Sequence, residues 1–94
     1  MALGVVSGFN CTRVTTTAAT TITTVGSYVC ARMTGTAAGK LRIFNGSTAA
    51  AAQVAILSIT ATGLVDELSV PIRCDAGVRV LNSVNTSTCF IYVR

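Results

Sequence analysis

The chain lacks histidine and tryptophan altogether, and its 94 residues include only three acidic side chains, Asp66, Glu67 and Asp75. Histidine and paired carboxylates carry most general acid–base catalysis and much metal ligation. Asp66 and Glu67 are adjacent, so on a strand they point to opposite faces and cannot converge on a substrate. The composition therefore favours a structural or binding role, and we expect no enzyme activity, no cofactor and no metal.

Charge is also scarce. Charged residues make up 11% of the chain, against roughly 25% in an average soluble domain, whereas hydrophobic residues make up 51% and mean hydropathy is +0.67. The surface must therefore be covered by Thr, Ser, Ala and Gly or by other protein chains. The seven basic residues give a net charge of +4 but occur singly. We expect an electropositive surface that steers the chain to an acidic protein partner, and no specific nucleic-acid site.

Signals for export and for membrane insertion are missing as well. The first ten residues lack the positive segment and the apolar stretch of a signal peptide. Two uncharged segments, 14–31 and 43–65, are long enough to cross a bilayer of about 30 Å, but the first is dominated by Thr and the second contains Asn, Gln and Gly. We therefore expect no membrane span.

Four cysteines occur, at Cys11, Cys30, Cys74 and Cys89. They form no CxxC pair, and without histidine they do not indicate a zinc site. An oxidising compartment would allow three disulfide pairings, but the missing signal peptide favours a reducing one. We expect reduced, buried thiols that pack as small hydrophobic side chains.

Apolar residues recur at every second position, and Gly, Asn and Asp interrupt them at the spacing typical of β-sandwiches and barrels. In the last strand, Cys89, Ile91 and Val93 lie on one face and Phe90 and Tyr92 on the other. The sequence predicts an all-β, antiparallel, jelly-roll-like β-sandwich of seven to eight short strands. Its only helix-prone piece is an Ala-rich turn at 48–53. The predicted strands are 15–24 (the first strand or its approach), 27–33, 40–44, 53–60, 67–74, 78–81 and 88–93.

A proline restricts where the strand at 67–74 can lie within a sheet. Pro71 cannot donate to a strand ladder, so this strand should lie at the edge of a sheet or turn that residue to the free side. Alternation predicts that Leu68, Val70 and Ile72 face the core.

Two turns and one irregularity follow from the sequence. The Asn45-Gly46 pair predicts a two-residue turn, because both residues accept positive φ angles. Residues 35–40 look like the start of a phosphate loop, but the glycine spacing is too short and we predict a hairpin loop. Residues 53–60 change phase midway, which predicts a bulge or burial on both faces.

The five aromatic residues are Phe9, Tyr28, Phe44, Phe90 and Tyr92. Arginines stand near two of them in sequence, as a platform for single-stranded nucleic acid requires. Strand alternation produces the same pattern by accident, so we predict that these rings pack in the core or along an amphipathic edge.

The N-terminal segment is apolar and spaced by glycines. It is either an extra strand of the sheet or an extended arm laid over a neighbouring chain, and we predict the arm. We assign residues 1–12 to the arm and 13–94 to the β-sandwich domain, and expect the domain to fold without residues 1–10. The candidate interface residues are Leu3, Val5, Val6 and Phe9 of the arm, together with Arg79 and Arg94.

An apolar strand at 68–74, a turn containing glycine, a short strand at 78–81 and a last strand ending near Tyr92 close the chain. With the strands at 28–33 and 40–44, this pattern resembles small β-sandwich proteins of tailed-bacteriophage virions over roughly residues 25–93. The resemblance implies a non-enzymatic virion protein, assembled in the host cytoplasm. It would bind the major capsid protein on the outer surface of the shell as a cement or decoration protein, often as a homotrimer.

Other functions stay open. The chain could be a head or tail accessory or fibre module of a virion. A secreted adhesin or lectin-like module would contain disulfides, and a small nucleic-acid-binding barrel would bind DNA or RNA in a salt-dependent manner.

Overall fold

The computed structural model describes residues 9–60 and 64–94, which form two antiparallel four-stranded sheets packed as a sandwich. The predicted all-β sandwich is confirmed. The described residues form no helix, and so none that could span a membrane. The strands are β1 (Asn10–Val14), β2 (Thr20–Thr23), β3 (Ser27–Gly35), β4 (Gly39–Asn45), β5 (Ala52–Ile59), β6 (Val65–Cys74), β7 (Val78–Asn82) and β8 (Ser87–Val93).

The strand pairing makes the chain one long antiparallel ribbon. Strand β1 pairs with β8, β2 with β7, β3 with β6 and β4 with β5. Further pairing of β3 with β8 and of β4 with β7 rolls this ribbon into two sheets. Sheet A has the order β1-β8-β3-β6 and sheet B the order β2-β7-β4-β5. A ribbon of eight strands rolled in this way is a jelly roll, as the sequence predicts.

The core lies between the sheets and consists of aliphatic, methionine and cysteine side chains. The alternation predicted for β3 and β8 is confirmed, and one of the two faces of each strand is fully buried here. Complete burial of a Val, Ile, Leu or Met side chain contributes about 1.5–3 kcal/mol, so these residues hold the sheets together. The largest fully buried hydrophobic side chains are Met33, Leu41, Ile43, Ile91, Val29, Val78 and Val80.

Strand β6 lies at the edge of sheet A, as Pro71 predicts. Its register with β3 shifts in the middle of the strand, where β6 carries extra residues. This bulge turns Val70 outward and leaves it 73% exposed, so the prediction that Val70 faces the core is wrong. Leu68 and Ile72, on either side of the bulge, do pack against the core.

Two connections differ from their predictions. The Asn45-Gly46 pair begins a longer loop instead of forming a two-residue turn. Its polar groups form hydrogen bonds with the corner between β6 and β7. Asn45 Oδ1 accepts a hydrogen bond from the Ala76 amide, and the Gly46 amide donates one to the Gly77 carbonyl, both at 2.9 Å. The loop at 36–38 crosses from sheet A to sheet B, so it is not a hairpin.

Strand β5 forms the edge of sheet B beside β6. The predicted bulge is confirmed, since the register with β4 shifts at Val54. Asp66 Oδ2 accepts a hydrogen bond from the edge amide of Ser58 at 2.9 Å, which blunts this edge against pairing with another strand. Just before β5, the Ala-rich segment makes a single turn, in which the Ala51 amide donates to the Thr48 carbonyl at 3.1 Å.

The domain begins earlier than the sequence suggests. Residues 10–12, which we assigned to the arm, belong to β1 and pair with β8. The predicted first strand at 15–24 corresponds only to β2. Three candidate interface residues, Leu3, Val5 and Val6, lie outside the described residues.

Candidate functional site

Four of the five aromatic residues lie on the outer face of sheet A. Tyr28 on β3 and both rings of β8 alternate with core residues, and Phe9 packs on them from just before β1. The fifth ring, Phe44, lies on the outer face of sheet B. The predicted core packing does not hold for the space between the sheets, which aliphatic side chains fill, but Tyr92 is buried with Cys30 in a separate cluster, with Phe9 and Phe90 packed against it, on the outer face of sheet A. We call this surface the aromatic face: Phe9, Tyr28, Phe90 and Tyr92, with Arg13, Arg32, Arg73 and Arg94.

A second, small apolar cluster sits at the centre of the aromatic face. Cys30 and Tyr92 are direct cross-strand partners and are only 1% and 7% exposed, because Phe9 and Phe90 pack against them. Burial raises the pKa of the Cys30 thiol and is the main cause of the raised pKa of the Tyr92 hydroxyl. The face therefore already excludes water locally, without a covering sheet.

The cysteines behave mostly as predicted. Cys30, Cys74 and Cys89 are buried, whereas Cys11 is exposed on β1, so the prediction is wrong for that residue. Burial raises the pKa of the Cys89 thiol to about 11. None of the four is bonded to another in the structure.

Two of the four arginines on the aromatic face are paired with carboxylates. Arg32 Nε lies 3.5 Å from Glu67 Oε1, and Arg73 Nε lies 2.8 Å from Asp75 Oδ1. The hydrogen bond to Asp75 raises the pKa of Arg73. The Arg73 guanidinium also lies 5.2 Å from the centre of the Tyr28 ring, within the range of a cation–π contact. These ion pairs offset the charge of two of the four arginines on the face.

The other two arginines, Arg13 and Arg94, have no carboxylate within ion-pair distance among the described residues. Arg94 lines a pocket of about 330 Å³ at one end of the face, together with Phe9, Tyr28 and Pro71. Reciprocal backbone hydrogen bonds between Tyr28 and Arg94, at 3.1 and 3.0 Å, place the two side chains beside each other. The pocket therefore offers an apolar cleft next to an unpaired positive charge.

The structure divides the candidate interface residues between two surfaces. Phe9 and Arg94 line the same pocket, so the structure brings them together. Phe9 lies on its own chain's sheet, as the first described residue of the predicted arm. Arg79 is on the outer face of sheet B, where it is opposite Phe44 and donates a hydrogen bond to the Thr48 carbonyl at 3.3 Å.

Sequence reasoning missed most of the aromatic face. Tyr28, Phe90 and Pro71 were not among the candidate interface residues. The sequence of β8 did contain a signal for this face, because the strand is apolar on both sides. Its inner residues are Cys89, Ile91 and Val93, and its outer residues include the rings of Phe90 and Tyr92. A strand that is apolar on both sides needs cover on both sides.

The described residues bring together no group of three or more Cys, Asp or Glu side chains that could hold a metal ion. Comparison with protein-family models, with curated protein sequences and with solved structures gives no match for this chain. A jelly roll by itself hosts many unrelated functions. The function must therefore be inferred from the chain's own surfaces.

Proposed function

We propose that the chain is a structural virion protein of the cement or decoration type, which binds the outer surface of a phage capsid through its aromatic face and stabilises the shell. The observation that carries this proposal is the position of the aromatic rings outside the core. Tyr92 is buried, Phe9 and Phe90 are half-buried and Tyr28 is 45% exposed, so part of the ring surface stays in water until another molecule covers the face.

The composition of the aromatic face fits a protein partner. Tyr, Phe and Arg are enriched where protein interfaces bind most strongly, whereas Lys and acidic residues are depleted there. Tyr28 is 45% exposed and borders the pocket, so a partner side chain can reach it. Arg13 and Arg94 remain available to carboxylates of that partner.

The resemblance to phage virion proteins supplies the partner, the major capsid protein. The jelly roll agrees with it, since viral capsid domains use this architecture. The low charge of the chain, at 11%, is also expected of a protein that spends its functional life against other subunits.

A non-enzymatic role, without a cofactor, is part of the proposal. The three acidic side chains all have structural partners: Asp66 accepts hydrogen bonds from the amides of Ser58 and Glu67, and the other two pair with arginines. Each carboxylate is thus engaged in holding strands or loops in place.

We further propose that the chain acts as a homotrimer. The bulge at Pro71 and the Asp66–Ser58 hydrogen bond block the edges of β6 and β5, so copies should not extend the sheets through these two strands. Size-exclusion chromatography with light scattering should give three times the 9.6 kDa of one chain. A monomer at micromolar concentration contradicts this part of the proposal.

The test of the docking face compares two matched phenylalanines. Phe90 and Phe44 are both half-buried, on central strands, on the outer faces of sheets A and B. Phe90→Ala should weaken co-sedimentation of the chain with intact particles about thirtyfold, the effect of losing about 2 kcal/mol at an interface anchor. Phe44→Ala should leave it unchanged. A chain that does not sediment with particles, or two variants that bind equally, would refute the proposal.

One observation favours a second function, binding of single-stranded nucleic acid on the same face. Four rings and four arginines together resemble the stacking platforms that bind single strands. The pairing of Arg32 and Arg73 with carboxylates weakens this interpretation, because it halves the available charge. Fluorescence anisotropy with a labelled (dT)20 distinguishes the two functions. Tight, salt-dependent binding that Phe90→Ala abolishes would support the nucleic-acid function instead.

A further inference from the structure

The outer face of sheet B carries a different kind of surface. Lys40 and Arg42 are exposed on β4, and Arg79 extends from the neighbouring strand β7. Lys40 and Arg42 are two positions apart on one strand, so their Cα atoms lie roughly 7 Å apart on the same side of the sheet. The three cations therefore form one patch, which we call the basic face.

All seven basic and all three acidic side chains of the chain fall within the described residues. Glu67 and Asp75 pair with arginines of the aromatic face, and Asp66 is bound at the edge between β5 and β6. None of these carboxylates lies on the described part of the basic face. The basic face therefore carries a charge of +3, whereas the aromatic face carries +2 once its two ion pairs are counted.

Apolar side chains separate the cations. Arg42 lies between Leu81 on β7 and Ile56 on β5, and Ile56 is 45% exposed. Arg79 is the cross-strand partner of the half-buried Phe44. Such a surface has apolar contact area for a partner and unpaired charges of a single sign, which together specify the partner's chemistry.

We infer that the basic face is a second docking surface, and that its partner is an acidic protein surface. The Phe44 ring of this face is half-buried, and Leu81 and Ile56 on either side of Arg42 are aliphatic and offer no ring on which a base could stack. The surroundings of Arg42 therefore fit a protein better than a nucleic acid. Because the basic face lies on the opposite side of the sandwich from the aromatic face, the chain can contact two partners at once. The aromatic face is not needed for this inference.

The experiment compares two double variants that remove the same charge from opposite faces. Lys40→Gln/Arg42→Gln removes two of the three cations of the basic face, and Arg32→Gln/Arg73→Gln removes the same charge from the aromatic face, at the two arginines that are already paired with carboxylates. The probe is fluorescently labelled poly-L-glutamate, an acidic polypeptide, with labelled (dT)20 as the nucleic-acid arm. Binding is followed by fluorescence anisotropy between 25 and 200 mM NaCl, because screening weakens contacts between exposed charges.

The wild-type chain should bind poly-L-glutamate, and more weakly as salt rises. Removing Lys40 and Arg42 from the basic face should weaken this binding about tenfold, the combined effect of losing two exposed ion pairs. The aromatic-face variant should stay within twofold of the wild type. Equal losses in both variants would show attraction to net charge alone and overturn the inference. Tighter binding of (dT)20 than of poly-L-glutamate at equal salt would overturn the choice of partner.

Discussion

Replacement of Gly77 by alanine should destabilise the fold more than any other glycine substitution at a turn. Gly77 is buried at the corner where the chain leaves sheet A and enters sheet B, and its φ is +109°. L-residues rarely adopt this angle, and the conformation costs of order 1–3 kcal/mol. An alanine Cβ at this place would also collide with the Thr23 carbonyl oxygen and lie 3.1 Å from Thr24 Cα.

Both obstacles around Gly77 are backbone atoms at the end of β2, so they cannot rotate away as a side chain could. Overpacking of this kind adds about 1–3 kcal/mol, which brings the expected loss to about 2–6 kcal/mol. A small domain has a total stability of about 5–15 kcal/mol. The melting temperature should therefore fall by about 10–45 °C.

Gly46→Ala is the matched control for the Gly77 substitution. Gly46 also has a positive φ, at +141°, but an added Cβ would meet mainly the Ala51 methyl group, 2.8 Å away in a loop. It should lose only about 1–3 kcal/mol in urea unfolding followed by circular dichroism. If Gly77→Ala and Gly46→Ala unfold at the same urea concentration, the backbone contact with Thr23 does not limit this corner.

Three further outcomes are expected. Thiol labelling of the native chain should modify Cys11 quickly and leave Cys30, Cys74 and Cys89 unreacted until denaturant is added. Because burial raises the pKa of Cys89 from 9.0 to about 11, the neutral thiol stabilises the folded chain below pH 9. Ionisation of this thiol should lower the free energy of unfolding by roughly 2–3 kcal/mol between pH 9 and 11 under reducing conditions. Cys89→Ala should reduce the fall by that amount and leave the part due to the raised pKa values of Cys30, Cys74 and Tyr92. Phe9→Ala should lower stability by about 1–2 kcal/mol in urea unfolding, since the half-buried ring packs on its own sheet; no loss would show that it contributes nothing to the fold.

The strands could be predicted because period two is strong wherever one face of a strand is buried. The predicted segments at 27–33 and 88–93 differ from β3 and β8 by at most two residues at an end. Strand β1 was missed because its sequence, NCTRV, has one large apolar residue, Val14, and pairs with β8 along only one edge. Propensity is a weak guide for such a short edge strand, whose place is decided by its partner.

The bulge in β6 could not be predicted from alternation. Leu68, Val70 and Ile72 have equivalent places in a period-two pattern, yet only the first and last pack against the core. The difference arises from the register with β3, which depends on contacts between residues distant in sequence. The edge position of β6 was predicted correctly from Pro71. The missing N–H of proline is a property of that residue alone and does not depend on the register of the strand.

The side of each strand that faces inward decides where function can lie, and alternation leaves that choice open. In β8 both faces are apolar, and the three smaller residues Cys89, Ile91 and Val93 face the core. Two packed sheets lie about 10 Å apart, and in this chain aliphatic and thiol side chains fill that space. The rings of Phe90 and Tyr92 consequently lie outside the two sheets, where Tyr92 is buried under its neighbours and Phe90 stays half-buried. The outer face of sheet B also carries apolar residues, but cations lie between them. The sandwich thus has two different faces. Binding to the first is favourable because apolar rings leave water, and binding to the second is favourable because its cations meet the opposite charges of a partner.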